Sequence, residues 1–285
     1  MSDPQNLTSN GLSYKQAGVD IDSIITWDDY FEAGKKVVAK TGKPMSTIES
    51  TEHWSYYPLI SQQGSDFLDK NGNGVLDNDI NVKTLEFLKK MLDANVVITA
   101  PAGFHHSEEY WSFMNNSGAA SLWMPLWYMG RFTSYMPKLK GKIVVRPLPV
   151  WKKGGSRSAG MGGTGTAVTN QSKNLDLAKR FLAYAKGSKE GSIKTWTVLG
   201  FDPIRWDVWS DPAMKAPNIY TDYFGNGVFD MLVSIKDEIG GINVGEKYPE
   251  AVSIVQRNVM FKVLGEKSAT PKEALSAANK LLNSR

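Results

Sequence analysis

Two stretches of this 285-residue chain carry residues that could do chemistry. Residues 121–128 read Ser-Leu-Trp-Met-Pro-Leu-Trp-Tyr, three aromatic rings around one proline, and residues 158–165 read Ser-Ala-Gly-Met-Gly-Gly-Thr-Gly. Rings beside a closely approachable backbone suit a flat-faced, hydroxyl-rich ligand such as a sugar, whose C–H faces stack on Trp and Tyr while its hydroxyls bond polar groups at the rim. Trp123 and Trp127 also stand at i, i+4, the spacing of two core residues on one helix face. Gly160 to Gly165 satisfies GxGxxG, but the dinucleotide fingerprint needs a strand before it and a helix at its end. Here a Lys/Gly/Ser loop precedes, and a short strand over residues 166–169 is expected to follow. The glycines serve backbone approach and a change of chain direction instead.

Asp69, Asn71, Asn73 and Asp77 place oxygens at positions 1, 3, 5 and 9 of a calcium-loop pattern, with Gly74 at position 6. Position 12 is Ile80, so the bidentate Glu is missing, and a plain Asn-Gly hairpin over residues 66–77 accounts for the same residues. A structural calcium is therefore one expectation and the hairpin the other; no other cofactor is expected. His105 and His106 with Glu108 and Glu109 sit too close on one short loop to close a tetrahedral zinc site, and the only further histidine is His53. A helix start with acids in its first turn fits them better.

The elements that must position these groups follow from local signals. Thr26-Trp-Asp-Asp29 reads as a helix N-terminus leading into residues 30–40. A second helical stretch is expected over 52–60, an amphipathic helix around Val82 to Leu92, a short one over 107–114, and one after Pro125. Residues 142–149 look strand-like. Asn174 and Ser188 begin two further helices, and Thr270-Pro-Lys-Glu273 is a capping box with proline in the first turn. The pattern is helix-rich α/β, with short scattered strands.

Composition bounds the rest. Apolar residues make up 41% and charged residues 22%, as in globular proteins, and the net charge of +4 is dispersed, so nucleic-acid binding has no local footprint. With no cysteine, disulfides, thiolate nucleophiles and Cys–zinc sites are excluded. No eighteen-residue apolar run exists to span a membrane, and the first residues lack the basic and apolar regions of a signal peptide. No Ser–His–Asp set or P-loop occurs; a glycosidase with paired carboxylates, or a calcium-dependent carbohydrate-binding module, is the alternative to a non-catalytic receptor.

The order of several segments resembles the extracellular solute-binding proteins of ABC sugar importers, the maltose-type family. The segments are Gln16-Ala-Gly-Val-Asp20 with Thr26-Trp-Asp-Asp-Tyr30, Trp54 before Tyr57-Pro-Leu-Ile60, residues 67–94, residues 118–127, Arg146-Pro-Leu-Pro149, Gly160-Met-Gly-Gly163, Ser172-Lys-Asn with Ala178-Lys-Arg-Phe181, and Gly200-Phe-Asp-Pro203. Met124-Pro-Leu-Trp-Tyr and Gly200-Phe-Asp-Pro-Ile-Arg look most like the arabinose and arabino-oligosaccharide binding members. The resemblance implies a type II periplasmic-binding-protein-like α/β fold whose N-terminal lobe is largely lacking. Residues 1–13 would be a polar tail, 14–158 the first part of the C-terminal lobe, 159–204 the return segment of the N-terminal lobe, and 205–285 the helical remainder of the C-terminal lobe. It also implies sugar contacts from Glu52, Trp54 and either Trp123 or Trp127, backbone approach at Gly162 and Gly163, and polar contacts from Asp202 and Arg205. The partner would be the membrane permease of the importer. The full-length protein would sit outside the cell membrane, lipid-anchored or periplasmic. A lobe standing alone would expose the apolar faces of residues 164–196 and tend to associate.

Overall fold

The computed structural model describes residues 5–284, with side chains from Ser13 onward. After β1 (Gln5–Asn10) and α1 (Gly11–Ala17) comes α2 (Trp27–Thr41). A capping box starts α2: the Thr26 hydroxyl accepts the Asp29 N–H, and the Asp29 carboxylate accepts the Thr26 N–H. Gly42 ends it in the left-handed conformation, φ +68°. β2 (Ser46–Ile48) and β3 (Val97–Thr99) pair in parallel, joined through α3 (Tyr57–Ser61) and α4 (Asp79–Asp93). α5 (Glu108–Asn115), capped by Ser107, leads to β4 (Ser121–Pro125), α6 (Met129–Tyr135) and β5 (Ile143–Pro147).

The second half is helical: α7 (Leu175–Leu182), α8 (Lys189–Thr197), α9 (Ile219–Phe224), α10 (Val228–Ser234), α11 (Tyr248–Ile254) continuing as a π-helix over Val255–Gly265, and α12 (Pro271–Asn283). The expected capping box of Thr270 and Glu273 is present, with Pro271 in the first turn.

Several expectations are corrected. Residues 5–10, expected within a polar tail, form the middle strand of a three-stranded antiparallel sheet, Gln5 opposite Pro125 and Asn6 opposite Pro147. β4 and β5 each present a free row of N–H and C=O groups on the side facing it, and pairing satisfies both. The helix expected over 52–60 begins only at Tyr57, with Pro58 in its first turn. Before it, the Trp54 N–H donates to the Glu49 carboxylate and the Tyr56 N–H to the His53 carbonyl in a local turn. The 66–77 hairpin shrinks to one antiparallel bridge, Leu68 with Gly74. Residues 166–169 form no strand, having no strand beside them to pair with.

Three apolar clusters hold the chain. The largest gathers α1 to α4, the π-helical run and α12 around Trp27, Tyr30, Tyr56, Tyr57 and Trp123. A second lies between α5, β4 and α6, and a third joins Trp196, Trp209 and Phe229. Residues 164–187 contribute no side chain to any of the three. On α7, Leu177 and Phe181 are 68% and 69% exposed, as expected for that face, whereas Trp196 is buried.

Candidate functional site

The loops leaving the carboxyl ends of β2 and β3 converge, the usual place for a ligand site on parallel strands. The β2 loop carries Glu49, Glu52, His53 and Trp54; the β3 loop carries His105 and His106. The 3₁₀ turn Leu126–Tyr128 after β4 brings Trp127 to them. Trp54 and Trp127 meet edge to face, 5.6 Å between centroids at 86°. His106 stacks on Trp127 at 5.4 Å and 30°, and lies 6.5 Å from Trp54. His53 backs Trp54 at 5.3 Å. Trp54, Trp127 and His106 are all half-buried, so each keeps an accessible part.

Glu52, half-buried, lies 4.0 Å from His53 Nδ1 and accepts a hydrogen bond from the Gln256 amide of the π-helical run. Burial raises its carboxyl above the ordinary range. Beneath it lies Glu49, fully buried. One carboxylate oxygen accepts the Trp54 N–H at 3.1 Å and the other the His105 N–H at 3.0 Å, while the Glu49 N–H donates to the Ser55 hydroxyl. Burial pushes Glu49 up to about 8 despite these bonds. The histidines move the other way for the same reason: His53 falls to about 4, His105 to about 3 and His106 to about 4. At neutral pH the three imidazoles are uncharged, and the aromatic surface presents neutral groups.

The anticipated residues are distributed as follows. Glu52, Trp54 and Trp127 come together. Trp123 does not face outward: it is buried in the largest cluster, its indole N–H donating to the Ser55 carbonyl at 3.0 Å. The i, i+4 helical spacing is not the cause, because Trp123 lies in β4 and Trp127 in the turn after it. Gly162 and Gly163 line a separate cavity of about 740 Å³ with Trp206, Lys236 and Ile242. Gly162 has φ +104°, and a Cβ there would meet Ile242 Cδ1 at 3.3 Å, so glycine is required for that path. Arg205 pairs with Asp207 and donates to the Gly187 carbonyl at 2.9 Å; Asp202 is buried. Neither lines the Gly162 cavity.

The two carboxylates of the calcium pattern have protein partners. Asp69 Oδ1 accepts the N–H groups of Asn71 and Asn73 at 2.8 and 2.9 Å, and Oδ2 accepts the Asn73 amide at 3.1 Å. These bonds hold its carboxyl below the ordinary range. Asp77 instead accepts from Asn279 of α12 at 2.8 Å. Asp69 thus accepts from its own loop and Asp77 from α12. Among the described residues no three His, Asp or Glu groups could hold a metal.

Sequence reasoning missed Glu49 and His106 as parts of this site. His106 was visible only as half of a His-His pair, and Glu49 follows a three-residue strand with no motif around it.

Comparison with known proteins agrees with this architecture. The family model described as bacterial extracellular solute-binding protein matches residues 3–191. The chain is 57% identical over 266 residues to a Bacillus subtilis (strain 168) arabinooligosaccharide-binding protein, covering 93% of this chain and 61% of that one. A protein of the same name from Halalkalibacterium halodurans is 47% identical, with 94% and 60% covered. The chain thus spans about three fifths of the length of these curated relatives. Among solved structures, a binding protein from B. animalis subsp. lactis in complex with β-1,6-galactobiose superposes with TM-score 0.80 at 24% identity, over 99% of this chain and 70% of that one. The GacH receptor of Streptomyces glaucescens superposes with TM-score 0.78 at 20% identity, over 99% and 69%. They share the α/β, periplasmic-binding-protein-like fold. With that fold, and with the family model matched across most of its length, this chain belongs to the bacterial extracellular solute-binding proteins.

Proposed function

We propose that this chain binds an arabino-oligosaccharide or a closely related sugar, without turnover, as part of the substrate-binding component of an ABC carbohydrate importer. Outside the membrane it would hand its ligand to the importer's permease. The observation that carries the reading is the Trp54–Trp127 corner with His106 stacked behind it and Glu52 beside His53. Half-exposed rings at right angles offer two stacking faces to a sugar chain, and the carboxylate accepts hydroxyl protons. The names of the two relatives and the fold of the structural neighbours support the ligand class. Trp123 is buried and Arg205 pairs with Asp207, so the reading rests on neither.

The glycosidase alternative needs two carboxyl groups flanking the scissile bond. Glu52 has Glu49 as its carboxylate neighbour, but Glu49 is fully buried and cannot reach a substrate. Calorimetry with arabinotriose tests the proposal: Trp54→Ala should cost more than about 1 kcal/mol of binding, a stacking contribution plus lost burial. Arg157→Ala should cost little, because its guanidinium is engaged by Glu238 and the Ser234 carbonyl. The opposite ranking would show that the site lies elsewhere, and release of reducing ends from arabino-oligosaccharides would overturn binding without turnover.

A further inference from the structure

We infer that Glu49 is the positioning residue of the site, a buried clamp that sets the spacing of Trp54 and His106 and so the affinity for the sugar. This rests on the proposed sugar site, and it begins from an accounting problem. A carboxyl with no exposed surface is costly unless it is fully used. Glu49 is used at both oxygens, by the N–H of Trp54 on one loop and of His105 on the other. Each donor lies on, or next to, a residue that contributes a ring to the site. The same two loops are also tied by the Gly103 carbonyl, which accepts the N–H groups of Ser50 and Thr51 and the Thr51 hydroxyl.

Four ionisable groups act on this carboxyl. His105 Nδ1 lies 3.4 Å from Oε1, Glu52 adds a like charge, and the hydroxyls of Tyr110 and Tyr128 lie close enough to feel its charge. His105 is itself held at Nε2 by the Thr47 hydroxyl, 3.0 Å away. Burial keeps the imidazole neutral, so the proton that matters is the one on Glu49. When Glu49 carries it, one oxygen becomes a donor and its grip on an amide weakens. When Glu49 loses it, both amide bonds become charge-assisted and shorten. The clamp therefore tightens on ionisation, while the same ionisation buries a charge and lowers stability. The stability that Glu49 contributes should fall from pH 4.5 up to 8, where the unfolded chain ionises first, whereas affinity should rise through 8, a change that a merely structural glutamate would not produce.

Two measurements decide this. In amide NMR spectra of the wild-type chain, the Trp54 and His105 N–H resonances should move together between pH 7 and 9, a shift that needs no ligand. In calorimetry, wild-type affinity for arabinotriose should rise several-fold across that range, about the worth of one strengthened hydrogen bond. Glu49→Gln, which keeps the shape and cannot ionise, should flatten the pH profile, with Trp54→Ala as the reference for a lost contact. Amide resonances that stay fixed from pH 7 to 9 would overturn the clamp even if Glu49→Gln does not fold. So would a Glu49→Gln protein with wild-type affinity and pH profile beside a Trp54→Ala protein that has lost binding. If Trp54→Ala binds normally, the sugar site has been misplaced, and the amide titration alone still decides whether Glu49 grips both loops.

Discussion

The loops after β2 and β3 and the segment from residue 164 to 187 handle their polar and apolar groups in opposite ways. Around Glu49, backbone N–H groups, the Ser55 hydroxyl and the Trp123 indole are spent on named partners, and the rings are held by contacts to neighbouring rings. Along α7 and the π turn after it, Leu177, Phe181 and Tyr184 form a stripe that faces solvent. The first arrangement is preorganised: little entropy remains to be lost when a ligand arrives. The second resembles half of an interface.

The largest effects should come from reversing that contrast. Trp123→Ala is expected to cost about 3–5 kcal/mol of stability in denaturant unfolding, since a fully buried indole is lost from a packed cluster. Phe181→Asp should stay within about 0.5 kcal/mol. Its effect should appear in sedimentation instead, where the wild-type chain self-associates through the stripe and the Leu177→Asp, Phe181→Asp double variant does not. A monodisperse wild-type monomer at tens of micromolar would remove the second half of the comparison.

The acid–base prediction is intermediate in size. Glu49, raised to about 8, contributes stability that is complete below its ordinary value of 4.5 and is lost as pH rises through 8. His53, His105 and His106, depressed from 6.5, contribute stability that is present above 6.5 and lost as pH falls through about 4 for His53 and His106 and about 3 for His105. The melting temperature should therefore peak near pH 6.5 and decline on both sides. Glu49→Gln should abolish the alkaline decline and leave the acid one; a decline that persists would place the responsible group elsewhere. The smallest expected effect is that of chelation. Because Asp69 and Asp77 are satisfied by Asn71, Asn73 and Asn279, EDTA and millimolar calcium should leave the melting temperature unchanged within about 1 °C. A calcium-dependent rise would restore the metal loop.

What could be read from the sequence was what neighbours in sequence decide. The N-cap at Thr26 and the capping box at Thr270 were legible because cap and donor are three residues apart. The amphipathic α4 showed through its periodicity, with Leu85, Leu88, Met91 and Leu92 buried as the stripe requires. Trp54 and Trp127 could be nominated by resemblance, yet their right-angle contact joins segments more than seventy residues apart. The burial of Trp123 could not be read locally, because it lies in β4, opposite Leu7 of a strand more than a hundred residues away. Residues 166–169 have strand-like composition and no partner, and pairing, not composition, makes a strand.

The inner ring cluster also gives the molecule an optical signature. Trp27 lies 5.5 Å from Trp123 at 78° and 6.0 Å from Trp151 at 40°, all three locked together with Tyr30 and Phe87. Rigid, skewed indoles this close should couple their transitions and dominate the near-ultraviolet circular dichroism, a signal that vanishes when tertiary packing is lost. Trp54 and Trp127 form a second, chemically distinct chromophore pair at the accessible corner. A sugar laid between them would perturb only the weaker part of the spectrum. One recording could thus distinguish a chain that has lost its ligand from one that has lost its core, without any added label.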